Sequence, residues 1–106
     1  MPNSNYKLKF TPKAEEDLDE IYSYIATKLF AETAAVNLMG KIEDAFMRLE
    51  KYPFSCSFVF DEPLKSRGYH KLIIDNYIAF YLVNEPENQV IIMRVLYGAS
   101  DYKTFL

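Results

Sequence analysis

Residues 77–97 read Tyr-Ile-Ala-Phe-Tyr-Leu-Val-Asn-Glu-Pro-Glu-Asn-Gln-Val-Ile-Ile-Met-Arg-Val-Leu-Tyr, and this stretch decides the fold of the chain. Two runs rich in β-branched and aromatic residues, at 77–83 and 90–97, flank a polar segment that contains Pro86. Such runs predict two strands joined by a turn. Because both runs are apolar along nearly their whole length, we expect them to lie at the centre of a sheet.

Two further strands are predicted outside this stretch. Residues 68–74 form a third apolar run, separated from residue 77 by the turn residues Asp75 and Asn76. Residues 6–10 alternate large apolar and basic side chains, which is typical of a half-buried strand at the edge of a sheet.

Two amphipathic helices are predicted between the first strand and the others. Thr11 and Pro12 are a suitable N-cap and first residue for a helix that extends to about residue 28 or 29. A second helix extends from residue 32 or 33 to residue 51 and ends before Pro53. Their short connection predicts an antiparallel helical hairpin. Residues 54–63, with proline at both borders, predict an irregular loop over one end of the core.

This order of elements predicts a single α+β domain over residues 1–106. We expect two layers: the N-terminal strand and a three-stranded antiparallel meander form one sheet, and the helical hairpin covers one of its faces.

Composition excludes several classes of protein. Half of the residues are hydrophobic, and the single cysteine, Cys56, has no partner for an internal disulfide or a zinc site. No long apolar run or signal peptide is present, so we expect a cytoplasmic protein without a membrane partner. The net charge of −3 argues against an extensive phosphate-binding surface, although Lys65, Arg67, His70 and Lys71 form a local basic cluster.

No motif of a cofactor-dependent or metal-dependent enzyme occurs in the sequence, so we expect no cofactor and no metal. The lone histidine, His70, lies at the start of a predicted strand beside Lys71. A general acid or base is conceivable there in chemical terms, but an exposed histidine without a role is the simpler interpretation.

Four segments resemble the consensus of the RelE/ParE toxin superfamily of type II toxin–antitoxin systems. They are the opening Thr-Pro-x-Ala-x-x-Asp-Leu-x-x-Ile from Thr11, the helix exit Leu49 to Pro53, the strand at residues 77–83, and Arg94-Val95-Leu96-Tyr97-Gly98. Their order and spacing are more specific than any one of them. The resemblance covers residues 6–106 and implies the α+β fold predicted above.

Two positions separate this chain from the ribonuclease members of that superfamily. Where RelE-like enzymes usually carry arginine, the chain has Ile78 in one strand and the pair Ala99-Ser100 after Gly98. Those arginines hold the scissile phosphate of mRNA in the ribosomal A site, and loss of one electrostatic donor costs roughly 10²–10³ in rate. The resemblance is therefore closer to the ParE-like branch, whose members poison DNA gyrase by binding.

The remaining candidates for a site are Lys71, Arg94, Tyr97 and Tyr102, with Arg67 upstream and Lys103 in the tail. As a divergent nuclease site, Lys71, Arg94, Tyr97 and Tyr102 would be catalytic; as a target-binding surface, all six would contribute. A strand of period two places Arg94 on the face of Val90, Ile92 and Leu96. There it is either a structural arginine, snorkelling or paired with a carboxylate, or a contact residue. Tyr97 and Tyr102 could form an acid/base pair or a platform for base stacking, but packing at the core or its rim is the favoured interpretation. Phe105 and Leu106 could equally close the core or face the target.

We therefore expect the toxin of a type II module, neutralised by a cognate antitoxin and acting on DNA gyrase by binding rather than by catalysis. One alternative is a ribosome-dependent mRNA endonuclease. Another is a domain that has lost toxicity and serves as a partner-binding module. The resemblance also implies that the antitoxin lays an amphipathic segment over the helical hairpin and along the sheet.

Overall fold

The computed structural model describes residues 5–106. Its elements, in chain order, are β1 (Lys7–Phe10), α1 (Pro12–Ser23), a π-helical turn (Tyr24–Lys28), α2 (Glu32–Leu49), α3 (Glu62–Ser66), β2 (His70–Ile74), β3 (Tyr77–Asn84), β4 (Gln89–Tyr97) and a 3₁₀ turn (Tyr102–Thr104). The α+β architecture predicted from the sequence is confirmed.

The four strands form one sheet in the order β1-β4-β3-β2. β3 and β4 lie at the centre and β1 at an edge, as their patterns predicted. β2, β3 and β4 form an antiparallel meander, whereas β1 pairs with β4 in parallel. The parallel pairing arises because the helical hairpin returns the chain to the other end of the sheet before the meander begins.

The helical hairpin begins where predicted. Thr11 accepts a hydrogen bond from the backbone N–H of Ala14 at 3.0 Å and donates its own hydroxyl to the Met93 carbonyl oxygen at 2.8 Å. The first helix reaches Lys28, but its last five residues form the π-helical turn, and Phe30 follows with φ of 52°. No helix within residues 5–106 is long and apolar enough to span a membrane.

The main core lies between the hairpin and one face of the sheet. Buried residues of α2 meet Ala79 and Tyr81 of β3 and Val90, Ile92 and Val95 of β4. This packing accounts for the amphipathic pattern of both helices, because their apolar stripes cover the sheet.

A second, smaller cluster lies on the opposite face of the sheet, because Phe80 alternates with the core residues Ala79 and Tyr81. Val59, Leu64 and Tyr69 cover it, together with Tyr102 and Leu106 from the tail. The tail therefore folds back onto the sheet through Leu106, whereas Phe105 remains half exposed.

The predicted loop over residues 54–63 needs correction at its end. Asp61 caps α3 by accepting from the Leu64 N–H at 3.3 Å, and Pro63 lies inside the first helical turn rather than outside the element. Proline fits this position because its missing N–H has no intrahelical partner there.

A β-bulge also corrects the predicted face of Arg94. Tyr81 pairs with Ile92 and Phe80 pairs with Arg94, so Met93 is an extra residue in β4. The extra residue reverses the alternation, so that Val95 packs with Ile92 in the main core and Leu96 packs in the second cluster. Arg94 therefore does not share a face with Val90 and Ile92.

Candidate functional site

Arg94 forms a two-point ion pair with Asp17 of α1. Its Nε donates to Oδ2 at 2.7 Å and its Nη2 donates to Oδ1 at 2.8 Å. Both side chains are largely covered, at 15% and 9% exposure. The hydrogen bond to Asp17 is the main cause that raises the pKa of the Arg94 guanidinium above its ordinary value. Arg94 is thus a fixed cation, and its Nε and Nη2 donors are already engaged by Asp17.

Asp17 has a second function in the sheet. β1 pairs with β4 only as far as Ile92, and beyond that point the edge of β4 lacks a neighbouring strand. There the Asp17 carboxylate accepts the Val95 N–H at 2.9 Å. Asp17 therefore replaces a strand partner and attaches α1 to the free part of β4.

The C-terminal tail is attached by three of the predicted target-binding residues. Arg67 donates to the Leu106 carbonyl oxygen at 3.2 Å, the Tyr102 ring lies 4.9 Å from the Phe80 ring, and Lys103 lies 3.5 Å from Asp61. Arg94 adds a weak contact, since its guanidinium lies 5.2 Å from the Phe105 ring centre. These side chains serve first to hold the tail on the sheet.

The two positions that lack arginine lie at one shallow pocket of about 240 Å³. Its lining residues are Ile73, Asp75, Asn76, Tyr77, Ile78, Tyr97, Gly98 and Ala99. No lysine or arginine is among them, and Asp75 carries the only formal charge at neutral pH. Gly98 is required at its rim, because a Cβ there would lie 3.1 Å from the Asn76 carbonyl oxygen. The lining of this pocket therefore has no cationic side chain that could neutralise a phosphate.

Tyr97 lies beside the pocket with 54% of its surface exposed. Its ring meets the Tyr77 ring edge-on, with centroids 5.9 Å apart. Burial is the largest cause that raises the pKa of the Tyr77 phenol above 10.0, and the Tyr97 and Tyr24 phenols act in the same direction. The folded protein therefore holds the Tyr77 proton more tightly than a free tyrosine would.

A groove of about 1040 Å³ lies between the hairpin and the adjoining ends of β3 and β4. Apolar side chains of the first helix and π-helical turn line it, including Ile21, Ile25 and Leu29. Its acidic residues are Asp17, Glu20 and Asp75. Arg94 neutralises Asp17 and Lys41 neutralises Asp75, whereas Glu20 has no ion-pair partner in the described part of the chain. The groove is thus apolar with an acidic rim.

His70 is buried, which contradicts the prediction of an exposed histidine. It is 4% exposed, its ring lies between those of Phe58 and Tyr81 at 4.2 and 5.0 Å, and Nδ1 is hydrogen-bonded to the Cys56 carbonyl oxygen at 2.9 Å. The error arose because residues 57–59, predicted as irregular loop, pair with the start of β2 and cover it. His70 is a packing residue.

Lys71 follows His70 on β2 and points to another aromatic side chain. Its ammonium lies 4.2 Å from the ring centre of Phe60, a cation–π contact. Within residues 5–106, no group of three or more histidine, cysteine or carboxylate side chains could hold a metal ion.

The comparison that decides the family is with a model of the ParE toxin of the type II toxin–antitoxin system parDE, which matches residues 8–102. The match spans the strand and helix opening, the bulged strand β4 and the tail as far as Tyr102. The chain belongs to the ParE toxin family.

Solved structures agree with this assignment at the level of the fold. The chromosomal ParDE toxin–antitoxin system from P. aeruginosa is similar with a TM-score of 0.71 and 22% identity over 90% of this chain and 98% of that one. The toxin–antitoxin complex RelBE2 from Mycobacterium tuberculosis is similar with a TM-score of 0.62 and 20% identity, over 88% of this chain and 98% of that one. No curated protein sequence is significantly similar to the chain.

In this ParE-family toxin, the six predicted site residues do not form one site. Arg94 and Tyr97 line the groove, while Arg67, Tyr102 and Lys103 hold the tail, and Lys71 lies on the edge strand with Phe60. Sequence reasoning missed Asp17 as the partner of Arg94. The only signal in the sequence was the position of Asp17 in the Asp-Leu pair of the helix opening. That position does not indicate a partner on a strand far along the chain.

Proposed function

We propose that this toxin inhibits growth by binding DNA gyrase, and that it acts in the cytoplasm without cleaving RNA. The observation that supports this proposal is the pocket at Ile78 and Ala99, which carries no cationic side chain. A ribonuclease of this fold needs charge stabilisation where the scissile phosphate lies, and here the lining supplies one carboxylate and no cation among its apolar and uncharged polar groups.

The rival mRNA endonuclease would need Lys71, Arg94, Tyr97 and Tyr102 to act together. Arg94 is engaged by Asp17, and Tyr102 packs on Phe80. These contacts leave neither side chain free to approach a substrate without rearrangement of the tail or of α1.

Controlled induction in bacteria tests the proposal. We expect filamentous cells and a DNA-damage response, with intact transcripts when mRNA ends are mapped after induction. Transcripts cut within ribosome-bound codons, without a DNA-damage response, would support the endonuclease instead. Absence of any growth defect from a folded protein would support the non-toxic module.

We further propose that the groove takes the cognate antitoxin. Its apolar floor and unpaired Glu20 fit an amphipathic segment that presents lysine or arginine beside its apolar face. The family's module type and the toxin–antitoxin complexes named above support such a partner. Co-expression with the neighbouring reading frame should give a complex that survives size-exclusion chromatography, and failure of every neighbour-encoded protein to co-purify would contradict this.

A further inference from the structure

Three phenylalanines are exposed around the first residues of β2. Phe54, Phe58 and Phe60 are 53%, 43% and 85% exposed. The rings of Phe54 and Phe58 lie 5.9 and 4.2 Å from the His70 ring, and Phe60 carries the Lys71 ammonium. His70 pairs with Tyr81 and Lys71 with Phe80, so these two side chains leave the edge strand β2 toward opposite faces of the sheet. Phe54 and Phe58 lie beside His70, and Phe60 lies beside Lys71. We call Phe54, Phe58, Phe60 and Lys71, which surround this edge, the aromatic surface.

The core covers these three rings only in part. Val59, between Phe58 and Phe60, is 1% exposed and fills the second cluster. The ring of Phe58 covers His70 with one side, and Phe60 contacts mainly solvent and Lys71. Large aromatic side chains that remain exposed together mark interaction sites, since they are enriched among the residues that dominate binding energy.

The surface is held in place by the backbone. Val59 donates its N–H to the Tyr69 carbonyl oxygen at 3.0 Å, and Lys71 donates to the Ser57 carbonyl oxygen at 3.1 Å. Beneath it, the Tyr81 hydroxyl donates to the Pro53 carbonyl oxygen at 2.9 Å. A surface fixed in this way loses little conformational entropy when it binds a partner.

Its charge differs from that of the groove. Within residues 5–106, Lys71 forms no salt bridge, and the nearby Asp61 is already used by Lys103 and by the Leu64 N–H. Among the described residues, Lys71 therefore remains an unneutralised cation, and its apolar contact is the ring of Phe60. A carboxylate with apolar neighbours complements such a surface.

We propose that the aromatic surface binds an acidic, aromatic- or aliphatic-containing segment of the protein that this toxin inhibits. The inference rests on the proposed function, because it names the surface through which the toxin reaches its target. An antitoxin segment that fits the acidic groove would be basic and is unsuited here. Nucleic acid fits poorly, because binding it requires several cations to neutralise phosphates, and this surface has one.

The test uses the double variant Phe60→Ala/Lys71→Glu in the full chain. Phe30→Ala, which removes a 91% exposed ring outside the groove lining, is the matched control. We expect the double variant to lose growth inhibition and to need at least about tenfold more protein for half-inhibition of purified gyrase. The control should match the wild type. Thermal unfolding and co-purification with the antitoxin should stay unchanged in both, and Lys71→Arg should retain inhibition because it keeps the cation.

Three results would overturn the inference. The first is full growth inhibition by the folded double variant, and the second is its loss of antitoxin co-purification, which would assign the surface to the antitoxin. The third is weakened binding of a fluorescent single-stranded RNA oligonucleotide with gyrase inhibition intact. If the wild type stops growth without inhibiting gyrase, the proposed function is wrong. Growth inhibition by the variants then still tests whether the aromatic surface binds the target. A wild type that leaves growth unaffected removes both proposals.

Discussion

The groove beside α1 and the aromatic surface beside β2 both expose large apolar side chains, but their chemistry is opposite. The groove has an acidic rim and lies between separate elements, whereas the aromatic surface carries a free lysine on one backbone-fixed segment. The difference indicates two partners of opposite charge. A groove between a hairpin and a sheet suits a helical segment that can adapt to it, and a fixed platform suits a target that must be recognised without rearrangement.

The two regions also differ in what holds them. In the groove, the Arg94–Asp17 ion pair attaches α1 to the free edge of β4, in addition to the apolar packing of the hairpin on the sheet. The aromatic surface depends on distributed hydrogen bonds and on stacking with His70. Single substitutions should therefore affect the groove more strongly.

The largest expected effect is that of Asp17→Asn. This change leaves Arg94 without its counter-charge and weakens the bond to the Val95 N–H, so the free energy of unfolding should fall by about 3 kcal/mol. Urea denaturation measures this difference in the free energy of unfolding. The control is Asp19→Asn, because Asp19 is exposed on the same helix, and its free energy of unfolding should lie within about 0.5 kcal/mol of the wild-type value. A loss below about 1 kcal/mol for Asp17→Asn would show that the groove does not depend on this pair.

Charge reversal at the groove comes next. Glu20→Lys should weaken antitoxin binding by about tenfold or more, because it places a cation opposite the basic segment we propose. Isothermal titration with the purified antitoxin gives the affinity, and growth inhibition by the toxin alone should persist. Asp19→Lys, which lies outside the groove lining, controls for general charge. Equal weakening by both variants would contradict a local role of Glu20.

Beneath the aromatic surface, Tyr81→Phe should cost about 1–2 kcal/mol, because it leaves the Pro53 carbonyl oxygen without its donor. Burial raises the pKa of the Tyr81 phenol above its ordinary value. The folded state therefore holds this proton more tightly, and its contribution to stability is lost as the pH rises above about 10. Tyr52→Phe, at an exposed tyrosine, is the control and should leave the free energy of unfolding unchanged.

The smallest effect is expected at the tail. The Lys103–Asp61 pair is long and its lysine is exposed, so Lys103→Ala should change stability by less than about 0.5 kcal/mol. Growth inhibition should also persist if the target binds at the aromatic surface. Loss of toxicity in folded Lys103→Ala would move the target-binding surface to the tail.

Local patterns predicted the four strands and the helical hairpin of this fold, whereas they missed the short helix α3. The apolar runs of β3 and β4, the lysines of β1 and the Thr11-Pro12 cap all give signals within a few residues. The family resemblance then located the two positions without arginine, and these do lie at one pocket.

What sequence alone missed depends on contacts between distant residues. The extra residue at Met93 shows no local signal, yet it changes which faces Arg94 and Val95 occupy. His70 is buried by Phe58 and Tyr81, neither of which is adjacent to it in sequence. Period two gave Arg94 the wrong face. A structural arginine paired with a carboxylate was one of the two interpretations of Arg94, but the sequence could not identify Asp17, which lies 77 residues away.

Inhibition of supercoiling by purified DNA gyrase is the most direct test of the central claim, that this toxin acts by binding without catalysis. The purified wild-type toxin should reduce conversion of relaxed plasmid to supercoiled plasmid in a dose-dependent manner, and prior addition of the antitoxin should prevent this. Unchanged supercoiling at a large excess of folded toxin, together with mRNA cleavage on programmed ribosomes, would contradict the account.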